Sequence, residues 1–294
     1  MRLGALEAGG TKMVCAIGNA NGEIYERISI PTETPEITVP KMIEYFKEKD
    51  IQALGIGCFG PIDLNRKSET YGYITTTPKL AWKNYNIVGA FADALDIPVG
   101  FDTDVNGSAL GEATWGITKG LDNSIYITIG TGVGMGIISN GKLLHGMLHP
   151  EGGHVLLTRH PKDTYGGKCP YHSNCLEGLA AGPAIEARWG KKGIELADKK
   201  EVWELEAYYI GQALVDCIML LSPQRIVLGG GVMHQEHMMP LVREEVKKQL
   251  NGYLVTKELE DLDSYIVLPS LNDNQGIMGA LTVSYTHLTL PTIR

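Results

Sequence analysis

Two stretches decide how this chain folds: GALEAGGTKMVCAIG at residues 4–18 and IYITIGTGVGMGII at residues 125–138. Each reads as an apolar strand entering a turn of small residues that carries a Thr, followed by a second strand. A glycine-rich turn lets backbone N–H groups approach an anion and converge on phosphate oxygens, and the Thr hydroxyl adds a donor. Alone, such a turn is more often a plain β-hairpin than a phosphate site. Two copies in one chain point to duplicated halves gripping one nucleotide.

The surroundings repeat as well. Residues 3–30 read as a meander, LGALEAGG, KMVCAIG and EIYERISI, with Asn21-Gly22 as a hairpin turn, and residues 124–146 echo it with Asn140-Gly141. After the Pro-rich PTETPEITVP, spacing predicts a helix over 41–48, and IQALGIGCFGPID predicts a buried strand delivering a loop at Gly60 and Pro61. Strand C-terminal ends are where α/β sheets hold ligands. A helix over 87–95, the strand IPVGFDTDVN and a helix beginning in SALGEATWG follow. Further on come helices over 182–189, 202–221 and 240–250, with PQRIVLGGGVM as a buried strand ending in glycines. The fold class is α/β in two related lobes, 1–121 and 122–283. The last stretch, SYTHLTLPTIR at 284–294, breaks the small-residue pattern of NQGIMGALTV and reads as a non-native tail.

Composition narrows the partners. The chain has 294 residues, 44% hydrophobic and 20% charged, enough for two modest cores. A formal net charge of −8, with no run of Lys and Arg, argues against nucleic acid or an acidic membrane surface as the main partner. No segment approaches the roughly 18 apolar residues of a membrane span, and no signal peptide is visible at Met1, so a cytoplasmic protein is expected. Of five cysteines, Cys15, Cys58 and Cys217 sit in apolar runs where a reduced thiol acts as a small hydrophobe.

The other two cysteines lie in GGHVLLTRHPKDTYGGKCPYHSNC at residues 152–175. Cys169, His172 and Cys175 follow at three-residue gaps in a loop rich in turn formers, which lets thiolate, imidazole and thiolate point at one centre. Zinc is the natural occupant, and His149, His154 and His160 compete for the fourth position. Four protein ligands would close the site, making it structural, because catalytic zinc keeps a place for water. Glu151 and Glu177 bracket the cluster and would be held by it.

In FDTDVN, residues 101–106, Asp104 stands at a strand end before a helix, where a carboxylate suits a general base accepting a hydroxyl proton during phosphoryl transfer. The competing reading is a helix cap, a role open to Asp102, Thr103, Asp104 and Asn106 alike, and spacing alone favours it. In LGGGVM, residues 228–233, three glycines leave room for a nucleobase or ribose against the backbone, or for tight packing of helix on strand.

EAGGTK, FGPID, TYGYITTTPK, FDTDVN, ITIGTGVG, HPEGGH, GKCPYHSNC, EGLAAGPAIEARWG and IVLGGGVM occur in this order between Leu3 and Leu281. Together they resemble the ROK family of sugar kinases, and most of all its bacterial zinc-containing fructokinase branch. The resemblance implies the actin/hexokinase-like fold, a duplicated ribonuclease H-like architecture in two lobes. It implies ATP-dependent phosphorylation of a hexose with Mg²⁺, fructose first, with mannose, glucose or an N-acetylated amino sugar as alternatives. A non-catalytic sugar sensor is the reading from another class. Gly9, Gly10, Thr11 and Lys12 would form the first phosphate loop and Gly130, Thr131 and Gly132 the second. Pro183 and Gly229, Gly230, Gly231, Val232 and Met233 would lie along the adenosine. Asp104 would be the catalytic base and would bind the sugar together with Gly60, Glu151, His154 and Glu177. His154, Cys169, His172 and Cys175 would hold the structural Zn²⁺, and the protein would be a homodimer. Two positions depart from the family pattern: Glu7 stands where Asp is usual, and His172 where many relatives have a third cysteine.

Overall fold

The computed structural model describes every residue except Pro78 and 290–294, with the backbone alone for 287–289. The chain forms two compact units: Met1–Gly120 with Leu143–Pro150 and the chain from Ser270 onward, and Leu121–Lys142 with Glu151–Pro269. In the first, the chain runs β1 (Leu3–Ala8), β2 (Lys12–Gly18), β3 (Ile24–Pro31), α1 (Pro35–Lys47) and β4 (Leu54–Cys58). A short ribbon of β5 (Tyr73–Ile74) and β6 (Tyr85–Asn86) precedes α2 (Ile87–Leu95), β7 (Val99–Thr103) and α3 (Asp104–Trp115). The second contains β8 (Ser124–Ile129), β9 (Val133–Ser139), β10 (Lys142–Leu143), α4 (Leu176–Ala180), α5 (Gly182–Trp189) and α6 (Lys200–Leu221). It ends with β11 (Arg225–Gly229), α7 (Met238–Leu250), α8 (Lys257–Glu260), α9 (Leu262–Tyr265) and β12 (Ile266–Val267). The last helix, α10 (Gln275–Thr289), returns to the first unit.

The duplication read from the two glycine turns is present in the strand order. One sheet runs β3-β2-β1-β4-β7 and the other β10-β9-β8-β11-β12. In each, the first strand pairs antiparallel with the second and parallel with a later strand, which in turn pairs parallel with the last. The Asn140-Gly141 hairpin follows from its residues, since both take positive φ (51° and 72°), as the tight turn between twisted strands demands.

Alternation along β1 sorts the first unit's core. Leu6 and Ala8 face α1 and α2 with Met42, Phe46 and Phe91, whereas Leu3 and Ala5 face α10 with Ile277, Ala280 and Leu281. The α10 side is lined by small residues because the helix backbone comes very close. A Cβ placed on Gly55 would lie 1.9 Å from the Ala280 carbonyl oxygen, and one on Gly279 would lie 1.7 Å from that of Gly107 in α3. Only hydrogen fits at either position.

Three expectations change. The chain does not divide into 1–121 and 122–283, because α10 covers one face of the first sheet and 143–150 also joins the first unit. The helical pattern does not break at Val283, since Ser284 is fully buried and its N–H lies against Gly55. Residues 290–294 of the expected tail lie outside the described residues. Finally, α1 begins at Pro35 rather than near Lys41: Pro at the first helical position starts a helix, and Val39, Met42 and Phe46 make one buried stripe. Among the described residues, no helix is long and apolar enough to cross a membrane.

Gly55→Ala should lower the unfolding free energy by about 3 kcal/mol, near the top of the range for overpacking, because the new methyl meets backbone rather than a flexible side chain. A denaturant midpoint unchanged from wild type would show that α10 does not lie this close.

Candidate functional site

In the first unit, Gly9, Gly10 and Thr11 turn the chain from β1 into β2, with Lys12 opening the second strand. The turn is closed by Gly9 N donating to Lys12 O at 3.1 Å and pinned by Thr32, whose hydroxyl donates to Gly9 O at 2.8 Å. A Cβ on Gly9 would meet Lys12 O at 2.7 Å, so that position requires glycine. Sequence reasoning missed one residue here. The Lys79 side chain covers the turn, its Cε 3.0 Å and its Nζ 3.9 Å from where a Gly10 Cβ would stand. Its signal was a lone cation closing TYGYITTTPK.

Gly60 follows β4, whose end is tied to the β1 turn by Phe59 N donating to Ala8 O at 2.9 Å. One strand further, β7 delivers Asp104 as the first residue of α3. The cap question is answered by Thr103, whose hydroxyl accepts from Asn106 N at 3.1 Å. The Asp104 carboxylate accepts from the adjacent Val105 N at 2.8 Å. Burial raises its pKa above the usual carboxylate range, against the lowering effect of the Val105 and Asp104 backbone N–H groups. Glu7 is pushed up to about 7, first by burial and next by the charge of Asp104. Two carboxyls that repel each other in one half-buried place form a donor set of the kind that a hard divalent cation neutralises.

In the second unit, Gly130, Thr131 and Gly132 turn β8 into β9, closed by Gly130 N donating to Gly132 O at 2.9 Å. Gly182 N, ahead of Pro183 in the first turn of α5, donates to Gly130 O at 2.8 Å. The three glycines that end and follow β11 reach the same place, with Gly231 N 3.8 Å from where a Gly130 Cβ would stand. Gly230 has φ +89° and no space for a side chain, since a Cβ would lie 2.4 Å from Ile129 O, whereas Gly231 faces open space. Val232 and Met233 turn their side chains into the core, so along this edge only backbone is offered.

Glu177 is placed differently from a simple sugar ligand. Its Oε2 accepts from Val133 N at 3.0 Å, directly after the second glycine turn, and its Oε1 lies 3.9 Å from His154 Nε2. The other nitrogen, His154 Nδ1, lies 3.6 Å from Cys175 Sγ and 3.9 Å from Cys169 Sγ, and His172 Nδ1 lies 3.6 Å from Cys169 Sγ. All four ligand atoms fall within 4.8 Å of one another. A tetrahedron with zinc's usual bond lengths has edges of about 3.5 Å, so the quartet fits with little adjustment. Burial pushes the Cys175 thiol up to about 11, which a bound cation would reverse. His160 instead stacks edge-on against Tyr208, and His149 is buried in the first unit.

The loop carrying the quartet is braced from beneath. Asp163 accepts from Tyr209 Oη at 2.6 Å and from Arg188 at 3.2 Å; Arg188 also donates to Glu206 at 3.0 Å. Burial pushes Glu206 up to about 8, although Arg188 pulls it down. Arg159 donates to the carbonyls of Tyr165 and Ser173. Glu151 is exposed and heads the short turn Gly152–His154. A cavity of about 770 Å³ opens between Asp163, Arg188, Tyr208 and Glu245, and none of the expected ligand residues lines it.

The model of the ROK family matches residues 3–286. The chain belongs to the ROK family. A fructokinase from Pediococcus pentosaceus is 47% identical over 98% of this chain and 99% of its own length, and one from Streptococcus mutans is 48% identical over 96% of each. The crystal structure of a ROK hexokinase from Thermus thermophilus superposes with a TM-score of 0.79 at 25% identity, covering 98% of this chain and 99% of the other. The fold is thus the actin/hexokinase-like α/β fold.

Since Thr103 rather than Asp104 caps α3, Thr103→Ala should cost about 1 kcal/mol of stability, as lost caps do, whereas Asp104→Asn should cost far less. Equal losses in chemical denaturation would return the cap to Asp104.

Proposed function

We propose that this protein transfers the γ-phosphoryl group of ATP to the 6-hydroxyl of D-fructose. The observation that carries the reading is near-full-length identity of 47% and 48% to the fructokinases of Pediococcus pentosaceus and Streptococcus mutans. The geometry supports it with an uncapped, basic carboxylate at a strand end. Asp104 takes the proton of the sugar hydroxyl as its oxygen attacks, and the raised pKa that burial gives it makes it a stronger base than an exposed aspartate. The N–H groups of Gly9–Lys12 and Gly130–Gly132 bind phosphate oxygens, with Lys79 adding charge at the first turn, while Pro183 and the backbone of Gly229–Met233 bind adenosine. Gly60, Glu151, His154 and Glu177 orient the sugar. Mg²⁺, when bound, would neutralise charge on the nucleotide's phosphates, and Glu7 is the carboxyl here that suits it, leaving Asp104 free to take the sugar proton. Zn²⁺ in the quartet is structural, since four protein ligands leave no place for water. The reading further takes the protein to be a cytoplasmic homodimer, which light scattering checks.

A coupled ADP-release assay with ATP and Mg²⁺ over fructose, mannose, glucose and N-acetylmannosamine should give fructose the highest kcat/KM. A larger value for any of the others reassigns the substrate. Asp104→Asn should lower kcat by about 10²- to 10⁴-fold with the fold intact, the usual contribution of a general base. In the wild type, kcat/KM should fall on the acid side as Asp104 is protonated, at a pH above that of an ordinary aspartate. Turnover of the Asn variant near normal would remove Asp104 from this role.

Stripping the metal with a chelator should release about one zinc per chain and lower the melting temperature and activity together. An unchanged melting profile in metal-free protein contradicts a structural zinc.

A further inference from the structure

The segment Leu143–Pro150 packs within the first unit and brings two histidines to the end of β7. His145 Nε2 donates to Asp102 Oδ2 at 3.0 Å. Asn106 Nδ2, from α3, donates to Asp102 Oδ1 at 2.6 Å and lies 3.3 Å from the same imidazole nitrogen. Thr103 N also donates to Asp102 Oδ1, at 2.8 Å. The carboxylate of Asp102 is therefore held by its own strand, by the following helix and by a segment forty residues later in the chain. Asp102 and Asn106 are both buried, and His149, also buried, stands in the same electrostatic neighbourhood with its Nδ1 unpartnered. An apolar contact would hold the segment without desolvating a carboxylate; three directed bonds do something else, which is to fix orientation.

What they orient is the β7–α3 junction. Thr103, whose N–H is bound to Asp102, is the cap of α3, and Asn106, whose side chain is bound to Asp102, is the residue whose N–H that cap receives. Asp104 stands between them. Along the chain, the clasped segment ends at Pro150 and is followed by Glu151 and His154. We infer that His145 is a positioning residue: through Asp102 it locks the junction that aims Asp104 and anchors the segment leading into Glu151. The inference rests on the reading of Asp104 as the base. It assigns His145 and Asp102 no contact with substrate.

The test uses the full-length protein with its metal, in His145→Ala, His145→Gln, Asp102→Asn and the double variant His145→Ala/Asp102→Asn. His145→Ala should lower kcat for fructose about 10- to 100-fold, the scale of a base misplaced by about an ångström, with KM for ATP and the melting temperature near wild type. His145→Gln, which keeps a side-chain donor toward Asp102, should recover most of the loss, a rescue that simple packing would not produce. The double variant should be no worse than the poorer single one, because both break one contact. Amide hydrogen exchange at residues 103–106 and 146–149 should quicken in His145→Ala. Wild-type kcat in His145→Ala, or unchanged exchange in both segments, overturns the clasp. If the wild type turns over no hexose, the proposed function fails by itself, and the exchange measurement still decides whether His145 locks the junction.

Discussion

Glu177 has two carboxylate oxygens, and each is committed to a different part of the second unit. One accepts the N–H of Val133 as the chain leaves its glycine turn; the other faces the metal-quartet histidine His154. The helix that carries Glu177 has only five residues, too few to be stable by itself in water. It is started by Cys175, whose sulfur accepts from Gly178 N at 3.4 Å and is also a member of the quartet. The order therefore runs from metal quartet to helix start, from helix start to carboxylate, and from carboxylate to the turn whose N–H groups must face phosphate. A loop without regular structure acquires the rigidity that a site on a strand or helix has by default.

The two units solve the problem of holding a glycine turn by different means. The second uses polar bonds: the Glu177 carboxylate, the Gly182 N–H and, below the loop, the buried set of Asp163, Arg188, Glu206 and Tyr209. The first uses close backbone packing, with α10 pressed onto strands and onto α3 at positions where glycine alone fits. Strands with little freedom to move keep β1, β4 and β7 in register, and their C-terminal ends present Gly9, Gly60 and Asp104 side by side. Duplicated topology has been kept while the chemistry that stiffens it has diverged.

Much of this was legible in the sequence because it depends on local signals. The paired glycine turns, the Asn-Gly hairpin, the helix over 87–95 and the three-residue spacing of Cys169, His172 and Cys175 each have a short-range cause, and the structure contains them all. Among three histidines, His154 alone reaches the quartet, a choice that spacing left open and resemblance favoured. What could not be read depends on contacts distant in sequence. That α10 belongs with β1 is invisible to any window shorter than the chain. The cap went to Thr103 over three capable neighbours because of backbone direction at the β7 end, and Lys79 reached the first turn across nearly seventy residues. Glu177 was recognised as important, but its bond to Val133 N was not, since nothing at residue 177 announces the start of β9.

The return of the last helix to the first sheet has a bearing on how the protein is made. During synthesis, the opening 120 residues emerge from the ribosome with the small-residue face of β1, β4 and β7 uncovered, and it stays so until Ser270 and the helix beyond it have been translated. The 151–269 stretch, by contrast, is complete before the chain ends. The half that begins first is finished last, and in the interval its exposed strands are the part of the nascent protein most in need of a chaperone's protection.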